Sequence, residues 1–386
     1  MTTAHKIMME FATLTGLSPA GQTPRRYLWT DAFAVCNFLE LGRQTGDEQY
    51  QTFALRLVGQ VHQVLGRHRE DDTRTGWISG LSEEEGKRHP TAGGLRIGKG
   101  MNERGPREPF DERLEWDRDG QYYHYLTKWM HALHCVSRAT GDPRYNRWAI
   151  ELAKAVHAGF TYLPSRGSGK RMYWKMSVDL SRPLVRSMGQ HDPLDGLITY
   201  RELQAAAKGD EKSTADGDLE SEIADMVQMC EGMTWDTDDP LGIGGLLCDA
   251  YRWAQLTVAQ GSEENDLLPT LLESSLRGLG RFTRTSLLMS PADDRLAFRE
   301  LGLSIGLRAV QRLQALIEAH PRLFGKGNPV HAMIKSLMRY QPLCEGIEKF
   351  WLNPASRENE TWKAHREINM VMLATSLAPD GFLSVS

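Results

Sequence analysis

Apolar residues recur at three- and four-residue intervals along this chain, and two stretches that carry the pattern align with each other. Residues 28–50 read LWTDAFAVCNFLELGRQTGDEQY, and residues 123–145 read YHYLTKWMHALHCVSRATGDPRY. The spacing is typical of one face of a helix. Each apolar pattern ends in Thr-Gly-Asp, where glycine suits the left-handed end of a helix and aspartate caps the next one. Each stretch therefore predicts a helix, a tight turn and an antiparallel second helix.

The same pattern continues to the C-terminus and predicts about six such hairpins. Further first helices are expected at residues 194–207, 241–260, 296–319 and 362–377. Second helices are expected at residues 48–65, 143–160, 219–233, 265–287 and 323–340. The last first helix lacks a partner, and residues 5–14 are the candidate that would close a ring. Strand signals are sparse, with residues 172–178 as one candidate, so the chain is expected to be nearly all α.

Composition predicts a single soluble domain across residues 1–386. The chain has 40% hydrophobic and 25% charged residues and a net charge of −4, which gives no reason to expect nucleic acid or a membrane surface as a partner. No apolar run approaches the roughly 18 residues of a membrane span, and the N-terminus lacks a signal peptide. We expect a cytoplasmic protein, and the sequence leaves its oligomeric state open.

The five cysteines are odd in number and show no CxxC pair; they are Cys36, Cys135, Cys230, Cys248 and Cys344. They lie mostly within apolar helical stretches, so reduced core thiols are expected. No Cys and His set stands at the sequence spacing of a metal site. We therefore expect no metal and no cofactor.

The hairpins with TGDxxY turns resemble the six-hairpin, or (α/α)6-toroid, superfamily across residues 26–378. That group includes glycoside hydrolases, unsaturated-uronyl hydrolases and N-acylglucosamine 2-epimerase-like sugar isomerases. The resemblance implies an all-α (α/α)6 toroid and a small-molecule carbohydrate substrate. It also implies a funnel at the N-terminal ends of the inner helices. A hairpin turn carries no chemistry, so the resemblance does not choose among these activities.

Counting back from the glycine of each turn brings Trp29, His124, Asp192 and Gly244 to equivalent positions at inner-helix starts. Residues near these starts are the site candidates. The catalytic candidates are Asp31, Asp195, Glu300, His124, His191 and His365. The substrate-binding candidates are Trp29, Tyr123, Asp192, Trp235, Arg299, Trp362 and Glu367.

Two kinds of side chain make these starts chemically interesting. Asp31 precedes a run of apolar residues, where desolvation raises a carboxyl pKa toward the value that a general acid needs. A histidine at a helix N-terminus has a lowered pKa, and neutral imidazole acts as a base. The alternative for the acids is a capping role, and for tryptophan it is the filling of gaps between helices.

Three functions stay open at this point. A glycoside hydrolase needs two carboxylates, which Asp31 with Asp195 or Glu300 would supply. A sugar epimerase or isomerase needs acid and base groups, which His124, His191 and His365 would supply. A non-catalytic toroid that binds a carbohydrate or a partner is the third. Hydrolysis is favoured, because the helix starts hold many carboxylates and the long connections suggest an extended ligand.

Two long connections border the expected funnel. Residues 67–121 form the longest one, which is typical of a lid, and its GGLRIGKG segment lacks the strand–GxxxxGK[ST]–helix context of a phosphate loop. Residues 165–188 form the second. Both are rich in Arg and Lys and would suit a uronate-bearing sugar, although solvated loop charge is the default explanation. Trp116 and Trp174 lie in these connections.

Overall fold

The computed structural model describes residues 2–19, 24–165, 169–208, 218–261, 267–325 and 329–385. The chain forms two compact units, which we call the N-terminal unit (Ala12–Met233) and the C-terminal unit (Met1–Phe11 with Thr234–Ser386). The expectation of one domain across residues 1–386 stays a prediction. Among the described helices, none combines the length and the apolar character that a bilayer crossing requires.

Helices dominate both units, as the hydrophobic pattern predicts. In chain order they are α1 (Thr3–Leu14), α2 (Leu28–Thr45), α3 (Glu48–Leu65), α4 (Glu83–Arg88), α5 (Glu112–Asp117), α6 (Tyr123–Thr140), α7 (Arg144–Phe160), α8 (Asp192–Lys208), α9 (Glu220–Cys230), α10 (Pro240–Gln260), α11 (Leu267–Phe282), α12 (Ala297–Ala319), α13 (Pro329–Leu337), α14 (Gln341–Leu352), α15 (Pro354–Arg357), α16 (Glu360–Ala364), α17 (Arg366–Leu377) and α18 (Asp380–Leu383).

Short strands in the connections of the N-terminal unit complete the secondary structure. They are β1 (Gln121–Tyr122), β2 (Thr161–Tyr162), β3 (Arg171–Met172), β4 (Lys175–Met176) and β5 (Pro183–Val185). One antiparallel sheet has the order β1-β4-β5, and β2 pairs with β3 in a second. The candidate strand at 172–178 is thus found as two short strands. The first sheet fixes the residue that precedes α6, because Tyr122 pairs with Lys175.

The Thr-Gly-Asp turns have the geometry that the sequence predicts. Gly46 and Gly141 both take φ of +70° at the ends of α2 and α6. Asp47 accepts a hydrogen bond from the backbone N–H of Gln49 at the start of α3. Asp142 does the same for Arg144 at the start of α7. A side-chain carbon at these glycines would strain the left-handed backbone, so the repeat reflects local turn chemistry.

Inner and outer helices differ in how far they are buried. In the N-terminal unit, α2 is buried around most of its circumference, whereas α3 is buried along one stripe. α2 packs against α3 and α6, α6 packs against α7 and α8, and α8 packs against α9. A helix that is apolar all round belongs in a core. α2, α6 and α8 are therefore the inner helices of this unit.

The C-terminal unit departs from the expected boundaries. The helix expected at 362–377 is broken at His365 into α16 and α17, and α14 lies where no helix is expected. α11 ends at Phe282, before the expected end at residue 287, and in the N-terminal unit α9 is shorter than the expected 219–233. The sequence carries two further turn signals, Gly-Asp at residues 209–210 and Gly-Ser at residues 261–262, and Gly261 takes the left-handed conformation expected at a helix end. The remaining marks at 209–210 and 262 lie outside the described residues.

Candidate active site

The N-terminal ends of α2, α6 and α8 bring together three of the residues that the repeat aligns. The ring of Trp29 on α2 lies 6.0 Å from the ring of His124 on α6. His124 Nδ1 lies 3.7 Å from Asp192 Oδ1 on α8. The shared position in each repeat therefore corresponds to a shared position in space within this unit.

His124 is held mainly by other rings. Tyr122 and Trp174 stack on it at 5.5 Å and 6.3 Å between ring centroids, and Tyr125 meets it edge-on at 4.9 Å. A quarter of its side chain remains exposed, which leaves a path for a ligand. Burial among these rings lowers the pKa of His124 to about 4, so its imidazole is neutral near pH 7.

Asp192 begins α8 and is almost completely buried. Its Oδ2 accepts no hydrogen bond from any residue that the structure describes. Burial, together with the nearby Asp195 carboxylate, raises the pKa of Asp192 to about 8. Glycine at 189 is required here, because a Cβ atom would lie 2.4 Å from Asp192 Oδ2. The side chain is therefore a protonated carboxylic acid near pH 7, with one buried oxygen that accepts no hydrogen bond from the described residues.

Asp195 and Lys128 form an ion pair one turn further along the same helices. Lys128 Nζ donates to Asp195 Oδ1 at 2.6 Å, and both side chains are about nine-tenths buried. A carboxylate that is paired in this way is stabilised in its ionised form. Asp195 is thus better suited to position Lys128 than to shuttle a proton.

Asp31 is buried at the start of α2 and is held on both oxygens. Its Oδ1 accepts from Arg26 Nη1 at 3.3 Å, and its Oδ2 accepts from the backbone N–H of Tyr27 at 3.0 Å. Burial outweighs these contacts and raises the pKa of Asp31 to about 6, in the direction that the sequence predicts. Its carboxyl also fixes the chain that enters α2, since Arg26 in turn donates to the carbonyl of Thr15 at 2.7 Å.

Aromatic side chains surround His124 and extend the site beyond the candidates found in the sequence. Tyr27 and Tyr125 share a hydrogen bond of 2.8 Å between their hydroxyls. Trp116 lies edge-on to Trp174 at 5.2 Å and is half exposed. Tyr27, Tyr122 and Tyr125 are neighbours of the predicted residues in sequence, but only the structure shows that their rings contact one another.

Tyr123 and His191 flank this group. Tyr123 is fully buried, and its hydroxyl donates to the hydroxyl of Tyr200 at 2.8 Å, so it packs between helices. His191 lies in the turn just before α8, next to Asp192, and is partly exposed. Of these two, the geometry leaves His191 as a candidate for contact with a ligand.

The remaining candidates lie in the C-terminal unit, where Glu300 is fully engaged. Arg295 donates to both Glu300 oxygens at 2.8 and 2.6 Å, and the Trp351 indole donates to Oε2 at 2.8 Å. A bidentate arginine fixes the orientation of a carboxylate, and both Glu300 oxygens already accept hydrogen bonds. Trp362 stacks on Trp351 at 5.5 Å and is likewise buried. This arrangement favours a structural role for Glu300 and Trp362.

The other C-terminal candidates have varied surroundings. Arg299 Nη1 donates to Asp239 Oδ1, the N-cap of α10, at 2.8 Å. Trp235 is 2% exposed. His365 is exposed between α16 and α17 against the ring of Phe298, and Glu367 lies in the first turn of α17. Their roles stay predictions.

Charges in the two long connections are largely used within the protein. Lys175 Nζ is completely buried and donates to Glu115 Oε1 at 2.9 Å and to two backbone carbonyls. Arg74 forms ion pairs with Asp72, Glu103 and Asp179. These contacts hold the connections in place. They weaken the argument from loop charge for a uronate-bearing sugar.

Three Cys and His residues that show no metal-ligand spacing in the sequence come together in the structure. The ligand atoms of Cys36, His131 and Cys135 all lie within 4.8 Å of one another, and all three residues are buried. The sequence spacing missed the set because Cys36 lies on α2, almost a hundred residues before the other two. A scan for local ligand motifs cannot find such a group.

The chain matches no protein-family model and no curated protein. It resembles two solved structures over nearly the full length of each chain. With the cellobiose 2-epimerase from Spirochaeta thermophila DSM 6192, the TM-score is 0.50 at 12% identity over 99% of this chain and 98% of that one. With the GH76A alpha-1,6-mannanase from Salegentibacter sp. HEL1_6, it is 0.50 at 11% identity over 97% and 98%. These likenesses show the fold, an all-α (α/α)6 toroid, and confirm the predicted fold class.

Proposed function

We propose that this chain is a carbohydrate-active enzyme that transfers protons at a sugar carbon, as a sugar epimerase or isomerase. The observation that carries the proposal is the pair of facing groups, His124 and Asp192, 3.7 Å apart. One is a neutral base and the other a protonated acid near pH 7. Pairs of titratable groups whose surroundings push their pKa values apart are typical of acid–base catalysis.

The reaction follows from these two groups. The neutral imidazole of His124 takes the proton from the carbon beside the carbonyl of an open-chain sugar. The Asp192 carboxylic acid gives its proton to the carbonyl oxygen, so that an uncharged enediol forms. Return of the proton from His124 to the neighbouring carbon gives the isomer, while the hydroxyl on the first carbon gives its proton to the Asp192 carboxylate and becomes the new carbonyl. Return to the opposite face of the same carbon gives the epimer and needs a second acid, for which His191 of the same unit stays the predicted residue.

The surroundings of the pair suit a neutral sugar. Aromatic faces pack against the C–H faces of a pyranose, and the partly exposed rings of Tyr125 and Trp174 beside His124 could supply such faces. The distance between His124 and Asp192 exceeds a hydrogen bond, as is common before a substrate bridges two catalytic groups. One solved structure of similar fold is a cellobiose 2-epimerase, which is consistent with this chemistry.

A glycoside hydrolase is the second candidate, and a specific observation favours it. The pKa values of about 6 for Asp31 and about 8 for Asp192 supply one mainly ionised and one protonated carboxyl near pH 7. Glycoside hydrolysis needs such a pair. Against it, both Asp31 oxygens already accept hydrogen bonds. Asp195 and Glu300, its other expected partners, are held by Lys128 and Arg295.

Turnover in heavy water separates these functions. Neutral reducing sugars and oligosaccharides are incubated with the enzyme in deuterium oxide, and products are identified by NMR and mass spectrometry. We expect deuterium at C1 or C2 without cleavage, and a loss of about 100-fold or more in His124→Asn, the usual contribution of a general base. His89→Asn, an exposed histidine of the same unit, is the control.

Two outcomes would overturn the epimerase or isomerase proposal. Glycosidic cleavage without deuterium at carbon, lost in Asp31→Asn and Asp192→Asn, would establish the hydrolase instead. Sugars that bind and are recovered without cleavage or deuterium would indicate a binding protein.

A further inference from the structure

Three buried side chains of α2 and α6 converge at one point inside the N-terminal unit. Cys36 and His131 are completely buried, and Cys135 is 6% exposed. His131 and Cys135 stand four residues apart on α6, so they lie on the same face of that helix. Cys36 reaches them from α2, which packs against α6.

We propose that Cys36, His131 and Cys135 bind a thiophilic metal ion, with zinc as the first choice. Thiolate and imidazole together suit zinc and copper(I), whereas magnesium and calcium prefer oxygen. Binding releases the two thiol protons to solvent, and the two thiolates then balance the charge of a divalent ion.

The geometry matches such a site before any ion is added. Cys135 Sγ lies 3.6 Å from His131 Nε2. Zinc bonds of about 2.3 Å to sulfur and about 2.0 Å to nitrogen, at a tetrahedral angle, place these atoms about 3.6 Å apart. The third ligand atom, Cys36 Sγ, lies within 4.8 Å of both atoms.

A carboxylate on a third helix orients the histidine for this role. Glu202 on α8 lies 2.7 Å from His131 Nδ1 and is 1% exposed. When Glu202 accepts the Nδ1 proton, the lone pair of Nε2 faces the two thiols. Carboxylate–histidine–metal arrangements of this kind are the usual support of a metal-binding imidazole. Glu202 is thus a positioning residue.

The site lies beneath the candidate active site and does not depend on the proposed reaction. His131 follows His124 by seven residues, and Glu202 follows Asp195 by seven, which is two helical turns or about 10 Å in each case. A metal there joins α2 to α6 directly and α8 through Glu202. These are the three helices whose starts carry Trp29, His124 and Asp192. We infer a structural role, in which the ion fixes the spacing of the inner helices.

Metal content and cobalt spectroscopy on the full chain test the proposal. The protein is purified under reducing conditions, dialysed and analysed for metals, and the metal-free form is titrated with zinc or cobalt(II). We expect about one equivalent of tightly bound zinc and a thiolate-to-cobalt charge-transfer band, as a thiolate site requires. Removal of zinc by a chelator lowers the melting temperature. Binding of one equivalent of copper(I) at the same cysteines would also support the site, with copper(I) in place of zinc as its ion.

Variants locate the ion. Cys36→Ser and Cys135→Ser lose the cobalt band, whereas Cys248→Ser, a buried cysteine of the other unit, keeps it. Glu202→Gln keeps the band and weakens zinc binding by about 10- to 100-fold, as loss of an orienting carboxylate does. If a cysteine variant fails to fold, the rate of thiol alkylation in the wild type identifies the ligands instead. Zinc is expected to slow the modification of Cys36 and Cys135 and not that of Cys230.

Three results would overturn the proposal. The first is a protein that takes up neither zinc nor copper(I) in stoichiometric amount. The second is a cobalt band that persists in both cysteine variants. The third is a Cys36–Cys135 disulfide in the native protein together with no metal uptake after its reduction, which would make the pair a redox element.

Discussion

At the scale of single residues, burial without a full counter-charge sets the protonation states at the candidate site. Asp192 keeps one oxygen without a hydrogen bond from the described residues, and the nearest cation, Lys128, is already paired with Asp195. Its neighbour His124 is buried by rings and not by charges. Both side chains are therefore neutral between about pH 4 and about pH 8. Such a buried acid is costly to ionise, which is typical of a functional site.

This cost predicts how Asp192→Asn changes stability with pH. The pKa of Asp192 is raised from 3.8 in the unfolded chain to about 8 in the folded one. Its favourable contribution is therefore complete below pH 3.8 and is lost as the pH rises toward 8. Asparagine does not ionise. The stability of the variant relative to wild type is therefore expected to increase from pH 4 to pH 8. The increase in the free energy of unfolding is on the order of several kcal/mol, at about 1.4 kcal/mol per pKa unit, and is observed as a higher melting temperature of the variant relative to wild type.

Asp225→Asn is the matched control for this measurement. Burial raises the pKa of Asp225, but hydrogen bonds and charge from Lys170 and His157 outweigh it and lower the value. Its stabilising contribution is present above the unfolded pKa and is lost only in acid. The Asn variant should therefore be less stable than wild type at pH 5 and at pH 8 alike. A melting difference for Asp192→Asn that stays flat from pH 4 to pH 8 would show that Asp192 is not held protonated.

At the scale of elements, the repeat explains why one of its aligned positions is a glycine. Gly244 on α10 aligns with Trp29, His124 and Asp192, yet a Cβ atom there would lie 2.1 Å from the carbonyl oxygen of Gly302 on α12. A Cβ atom at Gly306 of α12 would in turn lie 2.6 Å from the Cα atom of Gly244. α10 and α12 thus touch backbone to backbone. Close helix packing leaves no room for a functional side chain at this position.

Substitution of two adjacent glycines tests this contact. Gly244→Ala forces the helices apart and is expected to destabilise the protein by about 1–3 kcal/mol or more, the usual cost of overpacking. Gly245→Ala meets no atom within 4 Å and improves helix propensity, so it should be neutral or stabilising by up to about 1 kcal/mol. Denaturant unfolding of both variants measures the difference. Equal effects would mean that α10 and α12 are not in close contact.

Some elements could be read from the sequence and others could not. The Thr-Gly-Asp turns could, because Gly46 and Asp47 act through local backbone geometry. The break at His365 and the helix at Gln341–Leu352 could not be predicted, since no Gly-Asp turn signals either of them in the sequence. Propensity is a weak guide where no capping signal defines a boundary.

At the scale of the whole molecule, the sequence predicts the fold class better than the site. Helical repeats report the (α/α)6 fold directly, because each hairpin repeats the same short signals. Contacts between distant segments leave no such signal. The burial of Lys175 depends on Glu115, sixty residues away, and the meeting of Cys36 with Cys135 depends on two helices. The residues at the aligned helix starts could be predicted as candidates. Which of their carboxylates are already ion-paired with a cation could not be predicted.

Histidine NMR on the full chain tests the central claim, a neutral His124 beside a protonated Asp192, without any substrate. The ring signals of His124 are assigned by comparison with His124→Asn and followed from pH 4 to pH 9. We expect a neutral imidazole that does not titrate between pH 5 and pH 8, because burial lowers its pKa to about 4. An imidazolium that persists through pH 7 would contradict the account, since it would mean that His124 is ion-paired with an ionised Asp192.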